Sequence, residues 1–206
     1  MLRSPQLAAA LPRAAARLRT GDATVLLAAG ATELVRLGGQ REVLFQVVVG
    51  NRFSEQAAEA VTTLAQEGLF HLPELGRDFA DTVRRCQGPA LSAYRHSGYH
   101  KPQLDADLAA LRAAGVELAD HSVIWNDTRD PLAALMPDGP GEAPVPEREL
   151  TFPEAFPARP GLSVAVDVVA VPGAVELRMV ADGALLDRAR MAQFLCGIER
   201  SVLDAA

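Results

Sequence analysis

An amide and a guanidinium stand side by side where an apolar run ends: residues 43–50 read Val-Leu-Phe-Gln-Val-Val-Val-Gly, and Asn51 and Arg52 follow. Both side chains present directional donors, and the carboxyl end of a strand is where open α/β sheets commonly hold ligands. The pair therefore suits the wall of a binding cleft. A plainer reading has Arg52 capping the sheet and pairing with a neighbouring carboxylate. His96 and His100 lie four apart, the spacing that puts two imidazoles on one helical face and is compatible with zinc. Gly98 and Pro102 interrupt that helix, and no acidic or thiol ligand follows at a suitable spacing, so His96 reads as a hydrogen-bonding residue and no metal is assigned. Trp125 and Asn126 open the stretch Trp-Asn-Asp-Thr-Arg, which ends a strand with polar groups. Either these face a cleft, or Asp127 and Thr128 satisfy the amides of a local turn. Ser54, Ser92 and Ser97 lack a Gly-x-Ser-x-Gly elbow, which leaves a hydrolase triad without support. No residue is assigned a catalytic role.

The elements that must carry these groups follow from periodicity. Ser4-Pro5 starts a helix running to about Thr20, which Pro12 should kink or divide. Asp22 or Thr24 caps a second helix, Val25 to about Leu37, apolar on most faces and ended by Gly38-Gly39. The strand Val43 to Val49 reads as buried on both faces. Ser54 caps a helix from Glu55 to about Leu64, and Gly68 to Leu72 is a short strand. An amphipathic helix, Arg77 to Arg95, points Phe79, Val83, Cys86 and Leu91 inward and should bend at Gly88-Pro89. A helix from Leu104 to Ala114 ends at Gly115, and a strand near Ser122 to Asn126 precedes an irregular Pro/Gly-rich connection over 131–160. Strands 162–171 and 175–181 flank Pro172-Gly173 as an antiparallel hairpin, and Asp187 caps a last helix with Met191, Phe194, Leu195, Ile198 and Val202 in one stripe. The fold class is α/β (α+β), a mixed sheet covered by helices.

With 206 residues, 49% of them hydrophobic, the chain can bury a substantial core. Its net charge of −6 and pI near 5.2 argue against sequence-independent nucleic-acid binding, which needs clustered cations. Cys86 and Cys196 both fall in helical segments, so they read as core thiols in a reducing compartment. The start lacks the apolar run of a signal peptide and no segment is long enough to span a bilayer, which reads as a cytoplasmic protein without a membrane partner.

The arrangement resembles the carboxyl-terminal lobe of a condensation domain of nonribosomal peptide synthetases, a divergent member of the chloramphenicol-acetyltransferase-like fold. The resemblance covers nearly the whole chain, 1–206, as a single lobe. It rests on the buried helix Val25 to Leu37 with its Arg36-Leu37-Gly38-Gly39 turn, the strand ending in Gly50-Asn51-Arg52, and Ala93-Tyr94-Arg95-His96 followed by Pro102 and Leu104. It departs in the family's Gly-x-Phe-Val-Asn element, matched only in outline by 61–70, and in the Gln-Asp pair after the histidine, here Ser97-Gly98.

The resemblance implies a role in amide-bond formation between acyl and amine substrates tethered to an acyl or peptidyl carrier protein. Asn51, Arg52, His96, Trp125 and Asn126 would then be the substrate-cleft candidates. No cofactor would be bound directly, the phosphopantetheine arm of the carrier protein being the substrate's own tether. The family's His-His-x-x-x-Asp-Gly motif belongs to the amino-terminal lobe, and none of His71, His96, His100 or His121 begins or completes it. The chain is therefore expected to be a truncated reading frame, a split enzyme or an excised lobe, working with an amino-terminal lobe or as a homodimer. The alternative is an inactive interaction or dimerisation module.

Overall fold

Ser4 is extended (φ −140°, ψ 110°) and its hydroxyl accepts from the Leu7 amide at 3.0 Å, which starts helix α1 (Pro5–Leu18). The computed structural model describes residues 1–119, 122–129, 147–153 and 163–206. Pro12 does not divide α1, which runs through it as one helix with that residue on its exposed face. Helix α2 (Asp22–Gly38) begins at Gly21, which caps it with no side-chain bond, so neither Asp22 nor Thr24 is the cap. Asp22 instead sits in the first turn, where its charge complements the helix dipole. The glycine ending is as the sequence predicts. Gly39 turns left-handed (φ 69°) and its amide reaches the Val35 carbonyl at 2.8 Å.

Among the described residues one sheet of seven strands forms, in the order β3-β2-β4-β6-β7-β1-β5. Its centre is parallel: β2 (Val43–Val49), β4 (Val123–Asp127) and β6 (Val164–Val171) run together. The rest is antiparallel, with β3 (Gln66–Leu72) beside β2, and β7 (Ala174–Ala181), β1 (Leu2–Ser4) and β5 (Glu149–Leu150) following outward from β6. The hairpin β6–β7 turns through Gly173 at φ 73°, a conformation glycine adopts without steric cost. Strands β1 and β5 are too short to carry a period and are not foreseen from sequence. Residues 147–153 of the expected irregular connection contain β5; its other residues from 131 to 160, and His121, lie outside the described set.

Helices α1, α2, α4 (Phe79–Arg95) and α6 (Arg188–Ala205) pack over one face of the sheet. Val43, Phe45, Val47 and Val49 point into that layer and are buried, whereas Leu44, Gln46 and Val48 on the other face are only half-buried. Strand β2 is thus buried on one face, correcting the two-sided reading. Residues 25–33 of α2 are all buried because the helix lies between the sheet and α1, α4 and α6.

Helix α3 (Glu55–Glu59) is capped by the Ser54 hydroxyl as expected, but stops five residues short of Leu64. Helix α4 runs unbroken through Gly88-Pro89 and buries Val83 and Cys86, while Leu91 is 56% exposed and not part of the core. Helix α5 (Lys101–Ala113) has no buried residue. In α6, Phe194, Leu195, Ile198 and Val202 form the predicted buried stripe, with Met191 half-buried beside it. No described helix is long and apolar enough to cross a membrane.

Candidate functional site

The carboxyl ends of the parallel strands β2 and β4 meet the connection between α4 and α5, and the polar groups of the chain concentrate there. Asn51 follows Gly50 in the left-handed region (φ 53°), which asparagine tolerates better than most residues. That turn aims its amide away from the strand axis. Its Nδ2 donates to the Leu64 carbonyl at 3.1 Å and to the Ser97 carbonyl at 3.3 Å, and its Oδ1 accepts from the Ser97 hydroxyl at 2.6 Å. The Ser97 hydroxyl lies 2.9 Å from the Tyr94 carbonyl and is fully buried. Asn51 is therefore spent on fixing the walls of the site.

A second clasp reinforces the first. Gln66 Nε2 donates to the Tyr99 carbonyl at 2.8 Å, its Oε1 accepts from the Tyr99 amide at 3.3 Å, and the Tyr99 hydroxyl donates to Glu67 at 3.2 Å. Burial, then the Glu67 carboxylate, pushes the Tyr99 phenol up from its ordinary value and keeps it a donor.

At the end of β4, Asp127 and Arg129 form a two-pronged pair, Nε to Oδ1 at 2.8 Å and Nη2 to Oδ2 at 2.6 Å, each side chain 14% exposed. Thr128 anchors the turn by donating its amide (2.9 Å) and hydroxyl (3.0 Å) to the Val168 carbonyl. Tyr94 lies within electrostatic range of both charges. Burial raises its phenol above the ordinary value, Asp127 adds to that, and Arg129 opposes it. Its hydroxyl makes no hydrogen bond among the described residues, which leaves a neutral, half-buried donor beside a neutralised ion pair. This arrangement can orient a carbonyl or amide. At the exposed end of α4 the Ser92 hydroxyl stands 3.4 Å from His96 Nδ1, one turn away.

The other candidates disperse. Arg52 is exposed and its guanidinium reaches the carbonyls of Ala57 (2.6 Å), Ala58 (3.3 Å), Ala60 (2.9 Å) and Thr62 (2.8 Å), so it caps the end of α3 instead of pairing with a carboxylate. His96 caps α4 and holds its Nδ1 at 2.8 Å from the Ser92 carbonyl, on the exposed side. His100 precedes α5, and no group of three metal-binding side chains gathers among the described residues. Trp125 is 3% exposed and stacks on Phe45, ring centroids 5.8 Å apart. It lies over Gly30 of α2, where a Cβ would come within 2.4 Å of the indole. Asn126 points to the opposite face and donates to Asp167 at 2.8 Å across the β4–β6 register.

Tyr94 and Ser97 are not among the candidates foreseen from sequence. The Ser97 link to Asn51 spans 46 positions and has no local signature. An open groove at the other end of the strands is lined by Leu37, Leu44, Leu69, Val123, Met179 and Leu186, with Gln40, Arg190 and the Glu42–His71 pair (3.0 Å) also in its lining.

No family model and no curated protein matches the chain. Solved structures do. The condensation domain that mediates chain release from the enacyloxin polyketide synthase matches at 17% identity and a TM-score of 0.68, over 99% of this chain and 39% of that one. The first condensation domain of the CDA synthetase matches at 17% identity and 0.67, over 100% and 44%. The condensation domain of the Monacolin K polyketide synthase matches at 14% identity and 0.68, over 99% and 46%. The chain thus spans less than half the length of these structures. In fold it is one lobe of the chloramphenicol-acetyltransferase-like architecture that condensation domains share.

Proposed function

We propose that this chain is the carboxyl-terminal, positioning lobe of a condensation-type acyltransferase, joining an acyl group and an amine delivered by carrier proteins once an amino-terminal catalytic lobe is supplied. The observation that carries the reading is the match of the entire chain to less than half of each of these solved chains. Tyr94 would orient the substrate amide or thioester carbonyl, and the Asn51–Ser97 and Gln66–Tyr99 clasps would hold that wall rigid. Holding two tethered reactants in attack geometry contributes on the order of 7–11 kcal/mol in well-oriented intramolecular reactions, without a titrating side chain. The phosphopantetheine arm of the carrier would lie along this wall.

A second reading, an inactive interaction or dimerisation module, is favoured by one feature. Leu104 and Leu111 on α5 are 37% and 42% exposed, at helical spacing and with no buried neighbour on the helix. Light scattering and thermal unfolding separate the two. A monomer stabilised by a lobe bearing His-His-x-x-x-Asp-Gly supports the acyltransferase reading; a stable dimer indifferent to that lobe and to loaded carrier protein supports the module.

A further inference from the structure

The two cysteines occupy opposite environments. Cys86 is fully buried among apolar side chains, and burial pushes its thiol up to about 12. Cys196, on α6, is half-buried and polar in its contacts: Arg148, just ahead of β5, donates from Nη2 to its sulfur at 2.8 Å. The same guanidinium donates from Nε to Glu199 Oε2 at 2.7 Å. Glu199 stands one turn after Cys196 on α6, its side chain 6% exposed, and its other oxygen, Oε1, is buried with no hydrogen-bond partner among the described residues. A buried carboxylate oxygen without a donor is costly, and the guanidinium that holds the other oxygen of this carboxylate also holds the Cys196 sulfur.

We infer that Cys196 is a peroxide-sensing thiol whose sulfenic acid is held between Arg148 and Glu199. In the step, the sulfur attacks one oxygen of hydrogen peroxide; an S–O bond forms as the O–O bond breaks. Sulfur gives up two electrons, the peroxide is reduced, and the thiol proton leaves with the departing oxygen as water. The added oxygen keeps its own hydrogen. It can accept from the Arg148 guanidinium and donate to Glu199 Oε1, which supplies the missing donor. Neither contact is open to Cys86. The inference stands apart from the acyltransferase reading.

The test treats the whole chain with hydrogen peroxide in the presence of dimedone, which traps sulfenic acids, and locates the adduct by peptide mass mapping. The adduct is expected on Cys196 and not on Cys86. In Arg148→Met it should fall at least fivefold, while iodoacetamide labelling of unoxidised Cys196 stays level or rises, since removal of the guanidinium uncovers the sulfur. No adduct on Cys196 in the unaltered protein, where iodoacetamide still labels it, overturns the inference whether or not the variant folds. So does a folded Arg148→Met that traps dimedone as well as its parent.

Discussion

Asn51 and Ser97, 46 positions apart, close on each other through a 2.6 Å hydrogen bond that ties the end of β2 to the connection between α4 and α5. Both side chains are consumed in the contact, and the backbone of Ser97 returns a second bond to the Asn51 amide. The residue the sequence marks as a ligand-facing group is thus a fastener. The donor left over at the site is the Tyr94 hydroxyl.

Ser97→Ala removes the hydroxyl and strands Asn51 Oδ1 in a part-buried site. The expected loss is about 1–3 kcal/mol, the usual cost of an unsatisfied polar group, read as a lower urea midpoint with an unchanged slope. Asn51→Gly should be tolerated better than Asn51→Ala, because φ is 53° and only glycine enters that region freely. An Asn51→Ala chain as stable as Asn51→Gly contradicts the assignment.

Gly30→Ala should cost about 1–3 kcal/mol by overpacking, since the added methyl would stand within 2.4 Å of the Trp125 ring. The single tryptophan reports on the same contact. Its fluorescence should change in Gly30→Ala and stay constant in Gly50→Ala, where a Cβ meets nothing within 4 Å.

Two buried carboxylates have opposite pH signatures. Burial raises Glu176, but hydrogen bonds and charge from Arg3 and Arg178 outweigh it and hold the carboxyl below its ordinary value. Its contribution is present above the unfolded value near 4.5 and is lost as pH falls through the lower folded value. Glu176→Gln should therefore cost about 2–3 kcal/mol at pH 7, the worth of hydrogen bonds to a charge, with the deficit shrinking in acid. Glu33 is raised, first by burial, against the pull of Arg36 and Arg200. Its contribution is present below 4.5 and is lost as pH rises through the raised folded value, so Glu33→Gln should not lower stability at pH 7. Chemical denaturation at pH 4 and pH 7 checks both signs.

Arg52→Ala strips the cap from α3 and exposes the carbonyls of Ala57, Ala60 and Thr62. Because the guanidinium is exposed, the global cost should stay below about 1 kcal/mol. Amide exchange over 54–62 should quicken while exchange in β2 is unchanged.

Local signals carried most of this architecture. Ser4, Ser54 and Asp187 cap the helices they precede, and the alternation of Val164, Val166 and Val168 against Val175, Leu177 and Met179 is the observed hairpin. What failed depends on contacts distant in sequence. Strand β1 forms because β7, far along the chain, offers it an edge, and β5 then pairs with β1 across a gap of more than a hundred positions. Likewise, Trp125 and Asn126 are adjacent, but a strand sends neighbours to opposite faces, so one enters the core under Gly30 and the other meets Asp167. The sequence cannot say which face a helix will cover until the partners of α2 are known.

The central claim is that this lobe positions substrates for chemistry performed by another. The direct measurement is condensation of an acyl-loaded and an amine-loaded carrier protein, followed by intact mass, with this chain alone, with an amino-terminal lobe bearing His-His-x-x-x-Asp-Gly alone, and with the two mixed. Product is expected only in the mixture, with at least a tenfold lower rate for Tyr94→Phe and association of the lobes unchanged. Condensation by this chain alone, lost on substitution of His96, would contradict it.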